Sequence, residues 1–520
     1  MSAPDARLPH GEPSEASVTL RYALGGLVAS AILAFGAIGV GWLPADTITS
    51  SAILETLHTD PVGQFVSRSA VIIGGALLLQ AWLVIGADVL HGHLRDLRRL
   101  WAILALWTAP LLLAPPLFSR DVYSYFFQGK LVLAGQDPYT QGVASIPGWF
   151  QNGVDPMWQD TPTPYGPLWL ALSRGVADIA GDNAYLAVLA FRLLAVCGVA
   201  LLAWYVPRLA FHCGIDASKA LWLAVMNPLV LMHFVAGVHN DALMIGLLVA
   251  GACYAIEGRG ALGVALVMGA AMVKPIALLA LPFVGIMWAG SVQTGRQRWL
   301  AWLKTGVVAA VTYAVVAFAV GASFGWIQAL TTPGEVRTWL SPMTALGMAT
   351  GNFLSAVGLG DHTDTTVTFF RLIGMAAAVV IVALLVLRPQ GRTAVRSMML
   401  AFLTDVVLGP VVQPWYLLWV LPLAAASGLS RRELRAVMLL TAGFTLYGLW
   451  ETSASADPLL ELSDGLAMFA SAVAVVVAVT ASRRERRLLF GPPEDHGLLP
   501  EDAPAAARGA RLVVRGPEAA

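Results

Sequence analysis

An all-α, polytopic membrane fold is predicted by three features of this sequence: scarce charge, high mean hydropathy and repeated apolar runs of spanning length. Hydrophobic residues make up 57% and charged residues 12% of the 520 positions. Mean hydropathy is +0.70. Soluble domains carry about 25% charged residues, so this chain lacks the charge to cover a water-facing surface of its size. A bilayer removes that requirement. Net charge is zero, which gives no nucleic-acid signal. Cys197, Cys213 and Cys253 lie in or beside apolar runs without paired or metal-ligand spacing, so neither a disulfide framework nor a zinc site is expected.

Residues 1–20 read as a polar, Pro-containing tail. The run 22–43 is too long for a signal-peptide core and lacks a convincing cleavage site, so it reads as the first membrane helix. A spanning helix needs about 20 mainly apolar residues. Further segments follow at 69–90, 101–118, 184–206, 217–236, 241–257, 261–273, 276–290, 301–322, 366–387, 397–411, 414–429, 434–451 and 464–481. The expectation is therefore about 14 helices within a transmembrane domain of residues 21–481. Lys274-Pro275 and Gln413-Pro414 split adjacent pairs, because the residue before proline is pushed out of the α region. Each split fits a helix end near an interface or a kink in one longer helix. Residues 482–520 form a C-terminal tail that opens with Arg483, Arg484, Arg486 and Arg487. From Gly491 it turns rich in Pro, Ala and acids, a composition of disorder.

Orientation follows from Lys and Arg placement. With the N-terminus in the cytoplasm, the short inner loops carry fifteen such residues, clustered at 95–99, 208–219, 259, 296–304, 388–396 and 431–435. The longer outer loops carry five: Arg68, Arg120, Lys130, Arg174 and Arg337. Both termini are then cytoplasmic in a multi-pass plasma-membrane protein. The outer side receives long loops at 119–183 and 323–365, and tight turns at His239-Asn240-Asp241, Lys274-Pro275 and Gln413-Pro414-Trp415-Tyr416. Short amphipathic helices anchored on the membrane by Trp149, Phe150, Trp158 and Trp169 are expected in the outer loops.

That asymmetry puts the polar and aromatic motifs on one side. Carboxylates mixed with aromatics at a membrane surface suit a sugar, whose ring face stacks while its hydroxyls bond to acids; the same residues fit an aromatic interfacial belt with turn chemistry. Asp121 stands where the third helix leaves the hydrocarbon, within reach of a lipid-linked substrate with its phosphate in the headgroup layer. There it suits a general base that takes a proton from an attacking hydroxyl, and a single base in line with a phosphate leaving group implies inversion. An ion pair with Arg120 is the competing reading. Lys274 suits a lipid phosphate or a snorkelling interfacial cation. His239 suits a phosphate or sugar, whereas Asn240 and Asp241 also fit a helix cap. Gln413, Trp415 and Tyr416 fit a sugar pocket or a belt anchor.

Taken in order, Arg120-Asp121-Val122-Tyr123-Ser124-Tyr125, Gly135-Gln136-Asp137-Pro138-Tyr139, Pro164-Tyr165-Gly166-Pro167, His239-Asn240-Asp241, Val273-Lys274-Pro275 and Gln413-Pro414-Trp415-Tyr416 resemble the polyprenol-phosphomannose-dependent α-1,6-mannosyltransferases, a family of GT-C membrane glycosyltransferases. The likeness spans about residues 100 to 430. It implies a GT-C fold, a polyprenyl-phosphate-mannose donor, a lipoglycan acceptor, transfer with inversion and an outer-face site with Asp121 as base. It further implies Arg120, His239 and Lys274 at the donor phosphate, and Tyr123, Tyr125, Asp137, Tyr139, Tyr165, Asn240, Asp241, Gln413, Trp415 and Tyr416 at the sugar or acceptor. No cofactor is expected: Val122, not a second acid, follows Asp121, which argues against a divalent metal, and no Gly-rich nucleotide loop is present. A polyprenyl-phosphate-arabinose transferase, a glycan ligase and a lipid-linked glycan flippase are the other readings. A flippase would place ionisable residues near the midplane of two related halves, and no halves are evident.

Overall fold

The computed structural model describes residues 15–290, 295–321, 325–327, 334, 336–388, 390–453 and 461–490. Among these the chain is helical and forms no strand. The tail up to Ser14, the stretch expected to be disordered from Gly491, and parts of the second long loop lie outside the described residues.

Helix α1 (Glu15–Val40) leads through short α2 (Ala45–Thr49) and α3 (Ala52–Thr59) into α4 (Pro61–Leu90). Asp60 starts α4: its carboxylate accepts from the Val62 and Gly63 N–H groups, and Pro61 presets the first turn. Next come α5 (Leu97–Thr108), α6 (Asp121–Leu133), α7 (Pro167–Ala180), α8 (Ala184–His212) and α9 (Ala217–Ala224). A π-helical stretch, Val230–Ala236, then breaks sharply into α10 (Asp241–Ile256), the two axes meeting at 112°. The remaining helices are α11 (Gly260–Val273), α12 (Leu281–Ala289), α13 (Gly295–Val320), α14 (Pro342–Ala356), α15 (Thr363–Leu387), α16 (Ala394–Leu408), α17 (Leu417–Ser427), α18 (Arg431–Ser453), α19 (Glu461–Thr480) and α20 (Arg483–Phe490).

Every apolar run read from the sequence is helical over most of its length. Among the described residues, five helices are long and apolar enough to cross a membrane, six if the bent pair is one span. The others are shorter because the backbone breaks within the run. Lys274 and Gln413 both adopt extended backbone ahead of their prolines (φ −142° and −120°), as the Pro ring demands, and 3-10 turns follow each. Outward faces are apolar, with Phe211, Phe318, Phe369 and Val379 exposed. The chain is an all-α polytopic membrane protein.

The first long loop departs from expectation. Helix α6 is not a surface helix: most of its side chains, including Tyr123, Tyr125, Phe126 and Phe127, are buried. Trp158 and Trp169 are buried too, so of the four expected anchors they face protein, whereas Phe150 is exposed. The reason is packing. An added Cβ at Gly129 would meet the Ser173 carbonyl oxygen at 2.2 Å, so α6 lies directly on α7. The start of the C-terminal tail also packs back on the bundle, with Leu489 buried in α20.

Two close contacts fix the centre of the molecule. Trp82 on α4 and Trp222 on α9 stack at 5.1 Å, and each indole N–H donates to the other's carbonyl oxygen, at 3.1 and 2.9 Å. Helix α10 is gripped on both sides through small residues, the way helices approach without a hydrophobic drive between them. A Cβ at Gly246 would meet the Gly198 carbonyl of α8 at 2.7 Å, and Gly251 and Gly263 (on α11) would each meet the other's carbonyl at 2.6 Å. Gly251→Val should therefore force α10 and α11 apart and lower stability in detergent by about 1–3 kcal/mol. Gly269→Ala, whose Cβ would meet only Leu247 at 3.9 Å, should leave the thermal midpoint unchanged or raised.

Candidate active site

Asp121 is delivered by a strained turn. The Leu117 N–H donates to the Ala236 carbonyl at 3.1 Å, which ties this loop to the π-helical stretch. Phe118 then takes φ 65°, a left-handed conformation uncommon for a bulky residue. Ser119 Oγ accepts from the Asp121 N–H at 3.0 Å, and α6 begins. Its carboxylate sits in the first turn, where the helix dipole favours negative charge. Oδ1 accepts from the Trp158 indole at 3.4 Å, and Oδ2 lies 3.7 Å from His239 Nδ1. Burial pushes the Asp121 carboxyl up to about 6; Lys274 and the Trp158 N–H pull it down, while Asp241 and Asp155 add to the rise. The neighbouring Arg120 does not pair with it. Its guanidinium lies 4.3 Å over Trp42, donates to the Val154 carbonyl at 3.1 Å and meets Asp155 at 3.3 Å.

The turn before α10 is equally constrained. Val238, β-branched, holds φ 58°. Its consequence is that His239, Asn240 and Asp241 turn inward and are wholly buried rather than displayed on an outer loop. His239 stacks on Trp415 at 3.9 Å. Asp241 Oδ1 accepts from Lys274 Nζ at 2.8 Å and from the Trp419 indole at 2.5 Å. Lys274 is ion-paired to Asp241 while lining the cavity, with its ammonium 5.3 and 5.0 Å from the Tyr416 and Trp419 ring centres. Asn240 precedes α10 in helical backbone and makes no cap bond, so the cap reading fails for it.

A cavity of about 1390 Å³ opens beside these groups. Arg120, Asp121, Tyr165, Lys274, Gln413, Trp415 and Tyr416, all candidate site residues, line it together with Trp158, Trp419 and Asp405. Ile276, Leu278, Leu279, Val379 and Val382 make an apolar wall. The other expected contacts do not reach it. Tyr123 donates its hydroxyl to the Trp42 carbonyl at 2.6 Å, locking α6 to the end of the first segment. Tyr125 is packed edge-on against Tyr165 and Trp169. Asp137 accepts from the Tyr139 N–H at 2.9 Å as a turn former, and Tyr139 packs with Leu170. His239, stacked on Trp415, and Asp241, paired with Lys274, stand behind the wall, and Asn240 is buried beside them with its side-chain amide unbonded among the described residues. Trp419 and Asp405 are not legible in the sequence, because an indole in an apolar run and a lone acid carry no local motif; Trp158, expected as a membrane anchor, instead lines the cavity beside Asp121.

Fold and cavity together define a polytopic membrane protein with a carboxylate-bearing, aromatic-lined site built at breaks between helices. Residues 23–290 match the family model described as alpha-(1->6)-mannopyranosyltransferase, N-terminal domain, and residues 343–480 match the MptB C-terminal domain. A probable alpha-(1->6)-mannopyranosyltransferase of Mycolicibacterium smegmatis is 35% identical over 94% of this chain and 92% of its own length. The Mycobacterium tuberculosis alpha-(1->6)-mannopyranosyltransferase is 34% identical over 90% and 89%, and alpha-(1->6)-mannopyranosyltransferase B of Corynebacterium glutamicum 31% over 77% and 72%. No solved structure matches. The chain belongs to the alpha-(1->6)-mannopyranosyltransferase family.

The Asp241–Lys274 pair makes a direct prediction. Truncating one partner leaves an unmatched buried charge, so Asp241→Leu alone should cost about 3–5 kcal/mol. The double variant Asp241→Leu with Lys274→Met should recover much of that loss in thermal unfolding. Additive losses would show that the two side chains do not act as a pair.

Proposed function

We propose that this protein transfers mannose, with inversion, from a polyprenyl-phosphate-mannose donor to a growing α-1,6-mannan lipoglycan at the outer face of the membrane. The observation that carries the reading is Asp121: a carboxylate on the cavity wall, oriented by one indole N–H and close to a buried imidazole, in a chain whose relatives are named as mannosyltransferases. Relatives that carry mannose in their names favour mannose over arabinose.

In this mechanism an acceptor hydroxyl lies between Asp121 and the anomeric carbon of the donor. The hydroxyl oxygen attacks that carbon as the carbon–oxygen bond to phosphate breaks, and the electron pair leaves on the polyprenyl phosphate. Asp121 takes the hydroxyl proton. Attack from the face opposite the phosphate turns a β-linked donor into an α-linked product. Lys274 stands on the same cavity wall, its charge shared with Asp241, and stabilises the departing phosphate. Arg120, held over Trp42 and against Asp155, adds positive potential at that end. Gln413, Trp415, Tyr416 and Tyr165 supply a polar edge and ring faces for sugar, and the apolar wall suits the first isoprene units.

Purified protein given labelled mannosyl phosphopolyprenol and lipoglycan should consume the donor, and should consume arabinosyl phosphopolyprenol poorly. Asp121→Asn should lower turnover by about 10²–10⁴-fold with the fold intact; near-normal turnover removes Asp121 from the chemistry. A base works only when ionised, so the rate should rise with pH through the carboxyl value of about 6 and level off above it. A flat profile from pH 5 to 8 contradicts the assignment. For orientation, a cysteine placed at exposed Asp160 should react with a membrane-impermeant maleimide added outside intact cells; labelling only after lysis reverses the topology.

A further inference from the structure

Helix α16 is mostly apolar, yet Asp405 stands in its last turn. Two features of that position disfavour a carboxylate. An ionisable side chain inside a membrane segment is costly, and the free carbonyls of a helix C-terminus present the negative end of the dipole. Three other charged groups among these helices have hydrogen-bond or ion-pair partners. Asp241 receives Lys274 and Trp419; Arg192 donates to the Val235 and Leu112 carbonyls; Arg371 donates to Thr344 Oγ1 and to the Gly334 and Val336 carbonyls. Among the described residues no hydrogen bond or ion pair reaches the Asp405 carboxylate. It faces the cavity instead.

The backbone around it is held there deliberately. Ser341 Oγ donates to the Gly409 carbonyl at 2.9 Å and Thr344 Oγ1 to the Pro410 carbonyl at 2.6 Å, so α14 pins the chain just past α16 against the cavity. Gln413 lies four residues beyond Gly409 on the same wall, followed by the rings of Trp415, Tyr416 and Trp419. An acceptor carboxylate, an amide and aromatic faces form the chemistry that holds a pyranose: hydroxyls donate to the acid and the C–H face lies on a ring. With no ion-pair partner among the described residues, Asp405 suits an uncharged ligand better than a phosphate. The cavity, at about 1390 Å³, is larger than a pocket for one small ligand, about 300–1,000 Å³.

Resting on the mannosyl-transfer reading above, we infer that Asp405, with Gln413, forms a second sugar subsite that binds hydroxyls of the neutral acceptor glycan. The donor, anchored by its phosphate near Lys274, does not use it. Asp405 is a binding residue, and Asp121 alone takes the proton.

The test uses the purified full-length protein, mannosyl phosphopolyprenol and a short α-1,6-linked mannoside as acceptor. Asp405→Leu should raise the acceptor KM about tenfold or more, the effect of one lost hydrogen bond to a charged group, with the donor KM unchanged. Asp405→Asn, which keeps a carbonyl acceptor, should recover part of that loss. The thermal midpoint of the Leu variant should equal or exceed that of the wild type, because an unmatched charge has gone. An unchanged acceptor KM in the Leu variant, or donor and acceptor KM rising together, overturns the subsite. Absence of mannosyl transfer by the wild-type protein overturns instead the functional reading beneath it.

Discussion

The arrangement of the centre depends on one buried ion pair. Lys274 and Asp241 meet at 2.8 Å with the carboxylate fully buried, and the same oxygen takes the Trp419 indole. Each charge alone would be untenable among apolar helices. Together they bind three breaks in the membrane-level backbone: the start of α10, the residue before Pro275, and the first turn of α17. Stacking of Tyr416 on Trp419 at 3.8 Å, under the Lys274 ammonium, completes the lock. A buried pair of this kind adds little net stability compared with apolar residues of the same volume. What it contributes is position, because a cation and an acid that must meet leave α10, α11 and α17 one relative placement.

Broken backbone is the second constraint. Non-helical chain at membrane depth is tolerated only where it is buried in protein or lines a cavity. Here both cases occur. The turn through Val238 is sealed within the protein, and the breaks at Lys274 and Gln413 open onto the cavity. Left-handed backbone at Phe118 and Val238 falls within a few residues of Asp121 and His239. Such conformations persist only when the surroundings over-determine them, and the bond from Leu117 to Ala236 joins the two turns directly. The carboxylate and the imidazole therefore approach each other through backbone that has little freedom to relax.

What was legible in the sequence follows from range. Apolar runs report on solvent locally, and Pro275 and Pro414 dictate extended backbone at their own neighbours, so helices and breaks could be read one segment at a time. Asp121, at the end of an apolar run, was legible for the same reason. Pairings across the fold were not. Asp241 and Lys274 are 33 residues apart in sequence, and Trp158 reaches Asp121 across 37. Nothing near either residue marks its partner. The aromatic residues were the hardest to place: Tyr123, Tyr125 and Tyr139 share motifs with Asp121 and Asp137, and their rings are buried in the packing of α6 and its loop. A tyrosine beside a functional acid reads the same in sequence whether it faces a ligand or a neighbouring helix.

The charge pattern of the cavity gives the site a direction. Lys274 and Arg120 line the cavity with Asp121, and among the described residues Asp405, on the same cavity, has no ion-pair partner. In the proposed reaction the anionic, lipid-bearing donor lies by Lys274, where the apolar lining from Ile276 to Pro282 follows Pro275. A neutral polyhydroxylated molecule loses nothing by approaching Asp405. On the proposed roles the two carboxylates do not compete for one ligand: Asp121 takes a proton and Asp405 only accepts hydrogen bonds. If the proposed donor and acceptor bind as inferred, charge as well as shape orients them, because the donor carries a phosphate and the acceptor does not.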